Sequence, residues 1–106
     1  MSKIKFKTTL NLILIFSIFS LIAAYFIQYV LKHQPSNVHL LYNRAVLHKL
    51  NHNFQDALSD LNRAIMYSPD DAQLYSERGR IYSAQNKMKM AMVDFAIALQ
   101  LDETSL

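Results

Sequence analysis

A chain of 106 residues with a formal charge of +3 holds one small domain and an accessory segment. It contains no cysteine, which excludes disulfides, thiol catalysis, cysteine-ligated zinc and a lipidated N-terminal cysteine. The basic balance does not argue for a nucleic-acid partner: Lys3, Lys5, Lys7 and Lys32 flank a charge-free run, whereas from Pro35 onward seven basic residues meet eight acidic ones, a net −1.

Residues 1–9 form a basic tail, and residues 10–31 carry no charge. Twenty-two helical residues reach roughly 33 Å, enough for a bilayer core of about 30 Å. Asn11 stands near one end of this run and Tyr25, Gln28 and Tyr29 near the other, at interfacial depths that suit polar and aromatic side chains. More positive charge precedes the run than succeeds it. The positive-inside rule therefore predicts a single-pass membrane protein with its N-terminus in the cytoplasm and the rest across the bilayer. In a bacterium this is an inner-membrane protein with a periplasmic domain; a mitochondrial outer-membrane anchor would invert that topology. The run is longer than a signal-peptide core, and Ala23-Ala24 is followed by more apolar sequence, so the segment reads as a retained signal anchor. Cleavage, giving a secreted or periplasmic protein, is the alternative. Ser20 and Ala24 have the small-xxx-small spacing that permits close approach of a second helix.

Residues 32–36 form a linker in which Pro35 is expected to end the first helix. So short a connection would hold the C-terminal domain close to the membrane. Four helices are predicted in that domain. The first covers residues 37–50, capped by Ser36 or Asn37, with Leu40, Leu41, Leu47 and Leu50 on its apolar side. Asn51, His52 and Asn53 form a turn, with Asn53 as N-cap of a second helix over 54–67. Ser68-Pro69-Asp70-Asp71 ends that helix and caps a third over 72–84. After a turn at Gln85-Asn86, the fourth covers 87–101, with Met88, Ala91, Met92, Phe95, Ala98 and Leu99 apolar.

These helices repeat. Arg44, Ala45, Ala57, Asp60 and Ala64 recur 34 residues later as Arg78, Gly79, Ala91, Asp94 and Ala98, without a gap. The pattern resembles two tetratricopeptide repeats, about 38–71 and 72–105, within a repeat region of 37–103. The small residue in the middle of the first helix is Ala45 and Gly79. The alanine where the two helices touch is Ala57 and Ala91, the bulky residue after it Leu61 and Phe95, and the next alanine Ala64 and Ala98. An aromatic opens the second helix at Phe54, and a proline closes the unit at Pro69. His48, Met88 and Glu103 depart from the pattern, where it has an aromatic, an aromatic and a proline. The resemblance implies an all-α chain: one transmembrane helix, then two helix-turn-helix hairpins forming a short α-solenoid. It also implies a protein-binding module, not an enzyme, and no cofactor.

Arg44 with Asp60, and Arg78 with Asp94, share one spacing and are expected to pair across the helices of each hairpin. The competing reading of Arg78 is a groove residue that binds a partner. His48 and His52 have a metal-ligand spacing, but one takes a core position and the other a turn, and no glutamate comes directly after His48. No metal site is expected. No nucleophile–base or paired-carboxylate arrangement is present, and the single glycine, Gly79, rules out a glycine-rich phosphate loop.

The resemblance implies a concave groove lined by the first helix of each pair, with Tyr42, Val46, Lys49, Ser76, Glu77 and Arg80 as partner contacts. The family's carboxylate clamp wants lysine and asparagine where Tyr42 and Val46 stand, so a clamp-type chaperone adaptor is not expected. A second contact surface is expected at Met92, Phe95 and Leu99, where a third repeat would pack and the sequence holds none; a second copy or a partner protein would cover it. The expected function is a membrane-anchored adaptor binding a peptide or partner subunit. A small structural subunit of a larger membrane complex is the alternative.

Overall fold

The computed structural model describes residues 2–34 and 36–104. Pro35, expected to end the first helix, and the Lys3 side chain lie outside the described residues. Among the described residues the chain is five helices and no strand: α1 (Ser2–His33), α2 (Val38–Leu50), α3 (Phe54–Tyr67), α4 (Ala72–Ala84) and α5 (Met88–Thr104). They fall into two units, Met1–Pro35 and Ser36–Leu106.

The first unit is α1 alone. From Lys7 to His33 this helix is long and apolar enough to cross a membrane, by length and composition. Phe16, Phe19, Leu21 and Tyr25 all point outward. The helix extends beyond the uncharged run at both ends. Lys32 and His33 occupy its last turn, where positive charge complements the helix dipole, and the His33 ring lies 4.5 Å from that of Tyr29, one turn earlier.

The second unit is two antiparallel hairpins. α2 pairs with α3 and α4 with α5, while α3 packs on α4 and α2 touches α4. Local chemistry sets the boundaries. The Asn37 side chain accepts from the Leu40 amide at 3.2 Å, and Asp71 accepts from the Gln73 amide at 3.0 Å. Asn53 occupies the N-cap of α3 without a side-chain bond. Both hairpin turns close in the same way. The Asn53 amide reaches the His48 carbonyl and the His52 amide the Lys49 carbonyl; Lys87 to Tyr82 and Asn86 to Ser83 repeat the arrangement. His52 and Asn86 are left-handed, with φ of 60° and 59°. α5 runs past the expected end at residue 101. Glu103, a helix former, stands where Pro69 breaks the first repeat.

The buried core is small side chains between large ones: Ala45, Ala57, Ala64, Ala91 and Ala98 with Leu41, Leu61, Leu74 and Ile81. Alanine at the crossings lets the helix axes approach. At Gly79 the fit is tighter still, since a Cβ there would stand 2.8 Å from Phe95 Cε1. The counterpart positions in the first repeat hold Ala45 and the smaller Leu61, both buried. Leu47 and Leu50, expected on the apolar side of α2, are exposed, because α3 and α4 cover a different side of that helix.

Candidate protein-interaction groove

The first helices of the hairpins, α2 and α4, bring the predicted groove residues to neighbouring positions. Tyr42, Val46 and Lys49 on α2 and Ser76 on α4 are half-buried; Arg80 is exposed. Glu77 is different. Its side chain is buried between the two repeats, where Lys49 Nζ donates to Oε1 and Arg80 NH1 donates to Oε2 at 2.9 Å. Two cations offset the cost of burying that carboxylate, and the trio carries one net positive charge. Arg80 holds it nearest to solvent, with 58% of its side chain exposed. Glu77 therefore acts as a tie between α2 and α4, beneath the positions predicted to contact a partner. Lys49 and Glu77 are 28 residues apart, and only the stacking of first helices in successive repeats would have joined them.

The expected Arg–Asp pairs are present in both repeats. Arg44 grips Asp60 through Nε at 2.7 Å and NH2 at 2.6 Å, and Arg78 grips Asp94 through the same two nitrogens at 2.8 Å each. Asp60 and Asp94 are buried. Arg78 has a further bond, from NH1 to Asn62 Oδ1 at 3.0 Å, which links the second repeat to α3 of the first. The same guanidinium lies over the Tyr75 ring, 5.5 Å from its centre. Arg78 is thus an internal tie, not a free groove cation. Hydrogen bonding to Asp60 and to Asp94 holds both guanidiniums above their usual pKa, against the opposing effect of burial. A raised basic group contributes its stability at every pH below its unfolded pKa and loses it only above its folded one. The arginines therefore introduce no pH dependence near neutrality.

His48 and His52 are apart in role. His48 Nε2 stands 3.8 Å from Asp60 Oδ2, and the His52 ring meets the edge of Phe54 at 5.7 Å. On α5, Met92 and Leu99 are exposed, and Phe95 is half-buried against Gly79. A cavity of about 510 Å³ opens beside α3, with Leu58, Arg63, Met66, Tyr82, Lys87 and Met90 among its lining residues. Sequence spacing gives no sign of it, because it draws on three helices at unrelated intervals.

No family profile matches the chain, and no curated protein does. Among the solved structures similar to it in fold are two of MamA. One is described as MamA MSR-1 C2, with a TM-score of 0.72 at 20% identity over 76% of this chain and 46% of that one. The other, a crystal structure of MamA, gives 0.71 at 16% identity over 74% and 46%. The fold is a TPR-like helical solenoid. At these identities the likeness speaks for the fold alone, and this chain spans about half the length of the MamA structures it matches. It points to no particular partner.

Proposed function

We propose that this chain is a membrane-anchored protein-interaction module. α1 crosses the bilayer once with the short N-terminus on the cytoplasmic side, and the repeats present the α2–α4 groove to a peptide or partner subunit on the opposite side. In a bacterium that side is the periplasm. The observation that carries the reading is the succession of one membrane-length apolar helix and two TPR-like hairpins. Because Lys49 and Arg80 together exceed the charge of Glu77, the groove suits a segment with an acidic group for Arg80 and an apolar side chain for Tyr42 and Val46. We assign it no catalytic step.

Two measurements test this. The chain should resist alkaline carbonate extraction, and its repeats should be cleaved by protease in spheroplasts but not in intact cells. A freely soluble repeat fragment with a new N-terminus would replace the anchor by a cleaved signal. For the groove, peptides selected from a random display library on the detergent-solubilised chain should be rich in acidic and apolar residues. Arg80→Glu should weaken them about tenfold or more by placing like charges together. Selected peptides that bind Arg80→Glu and Val46→Glu as well as wild type would reject the groove as the site.

A further inference from the structure

Because the repeats match at an offset of 34 residues, counterpart positions should be equally buried wherever their surroundings are equivalent. On α3, Leu58 is 7% exposed beneath α4; its counterpart on α5, Met92, is 70% exposed. Ile65 is half-buried, while its counterpart Leu99 is 66% exposed. The other side of the interface shows the converse. On α4, Ile81 is fully buried, whereas its α2 counterpart Leu47 is 44% exposed; Leu74 is buried and its counterpart Leu40 only half so. The two halves of the α3–α4 interface therefore recur, separated, on the same chain. α5 carries the receiving face and α2 the inserting one.

We propose that α2 of one copy packs on α5 of the next as α4 packs on α3 within a chain, so that copies of this protein stack head to tail. A second copy is the occupant because it continues an interface the chain already makes. Apolar character is kept at every counterpart: Leu58 and Met92, Leu61 and Phe95, Ile65 and Leu99 on one side, Leu74 and Leu40, Ile81 and Leu47 on the other. The flanking ties do not forbid the joint. Where Lys49 meets Glu77 within the chain, Ser83 would meet Asn43 of the next copy, and where Arg78 meets Asn62, Arg44 would meet Ala96. Arg44 already has Asp60, so no charge is stranded. With the Lys49–Glu77 ion pair replaced by neutral Ser83 and Asn43 and the Asn62 acceptor by Ala96, the joint between copies is weaker than the joint within one. It is also heterologous: every added copy leaves one face of each kind unfilled, so assembly proceeds by addition rather than stopping at a pair. None of this depends on what occupies the groove.

The short turn Ser68–Asp71 makes α3 and α4 antiparallel, which sets Ile81 beside the start of α3 and Leu74 beside its end. In the same register Leu47 of one copy meets Met92 of the next. The chain has no cysteine, so Leu47→Cys and Met92→Cys, both at exposed positions, give clean single-thiol proteins. Oxidised together as full-length chains in detergent, the mixed pair should form a covalent dimer in high yield, and each protein alone should form little. Adding Leu99→Lys to the Met92→Cys chain should weaken the cross-link about tenfold or more, since a lysine would be buried without a partner. Sedimentation provides a second reading. Met92→Lys and Leu47→Lys should each be monomeric, and their equimolar mixture dimeric, because one competent joint remains between them. Met92→Cys cross-linking to itself as well as it does to Leu47→Cys would show a symmetric face-to-face contact and overturn the proposal. So would a wild-type chain that is monomeric throughout, or association unaltered by the charge variants, as contact through α1 would give.

Discussion

The two repeats differ least where they are tied and most where they meet something else. Each has an arginine gripping an aspartate 16 residues on, through the same two nitrogens, and each closes its hairpin through the same pair of amides. Yet counterpart leucines, isoleucines and methionines that occupy identical places in the hairpin range from fully buried to largely exposed. The sequence of a repeat specifies its hairpin, and its neighbour determines which of its apolar residues contribute to stability. The interior shows a second contrast: the second repeat sets Gly79 against Phe95, where the counterpart positions of the first hold Ala45 and Leu61.

The largest expected break in the symmetry is at the shared interface. Ile81→Ala should cost about 3 kcal/mol in urea unfolding of the repeats, and Leu47→Ala, at the counterpart position, under about 1 kcal/mol. Equal costs would mean that the repeat interface does not shelter Ile81. Next come the ties, where symmetry should hold. Asp60→Asn and Asp94→Asn should each cost about 2–3 kcal/mol, because each leaves a partly buried arginine without its carboxylate. An effect at only one of them would show that the equivalence is geometric and not energetic. Gly79→Ala should destabilise by about 1 kcal/mol, crowding Phe95 by more than alanine's helix preference returns, and in a Phe95→Leu background the same change should stabilise by about as much. A fixed sign in both backgrounds would reject the compensating-volume account. The smallest effect is at the left-handed turn residues. His52→Gly should gain about 0.5 kcal/mol and Asn86→Gly less, since asparagine tolerates that conformation better than histidine. Thermal melts of the two variants would read the difference.

Much of this was legible in the sequence, for physical reasons. α3 and α4 begin and end at the residues that spacing and turn chemistry indicated, because Asn51–Asn53, Ser68–Asp71 and Gln85–Asn86 act locally. The Arg–Asp pairs were legible because they recur: one coincidence at a spacing is weak, and two at the same spacing are a geometry. The burial of Glu77 was not legible. Glu77 was expected as a partner contact on the groove, yet it is buried, and the ion pair with Lys49 on the preceding hairpin accompanies that burial. Nor was the reach of Arg78 to Asn62, since it joins two helices of different repeats and follows no spacing within one unit.

Adjacent residues on α4 fasten that helix to all three of its neighbours. Glu77 ties it to α2 through Lys49, and Arg78 ties it to α3 through Asn62 and to α5 through Asp94. α4 cannot turn about its own axis without releasing all three at once, so the hairpins have no soft hinge between them and should open as one unit. In hydrogen exchange, the amides of α2 and α5 facing α4 should share a single opening free energy with those of α4 itself.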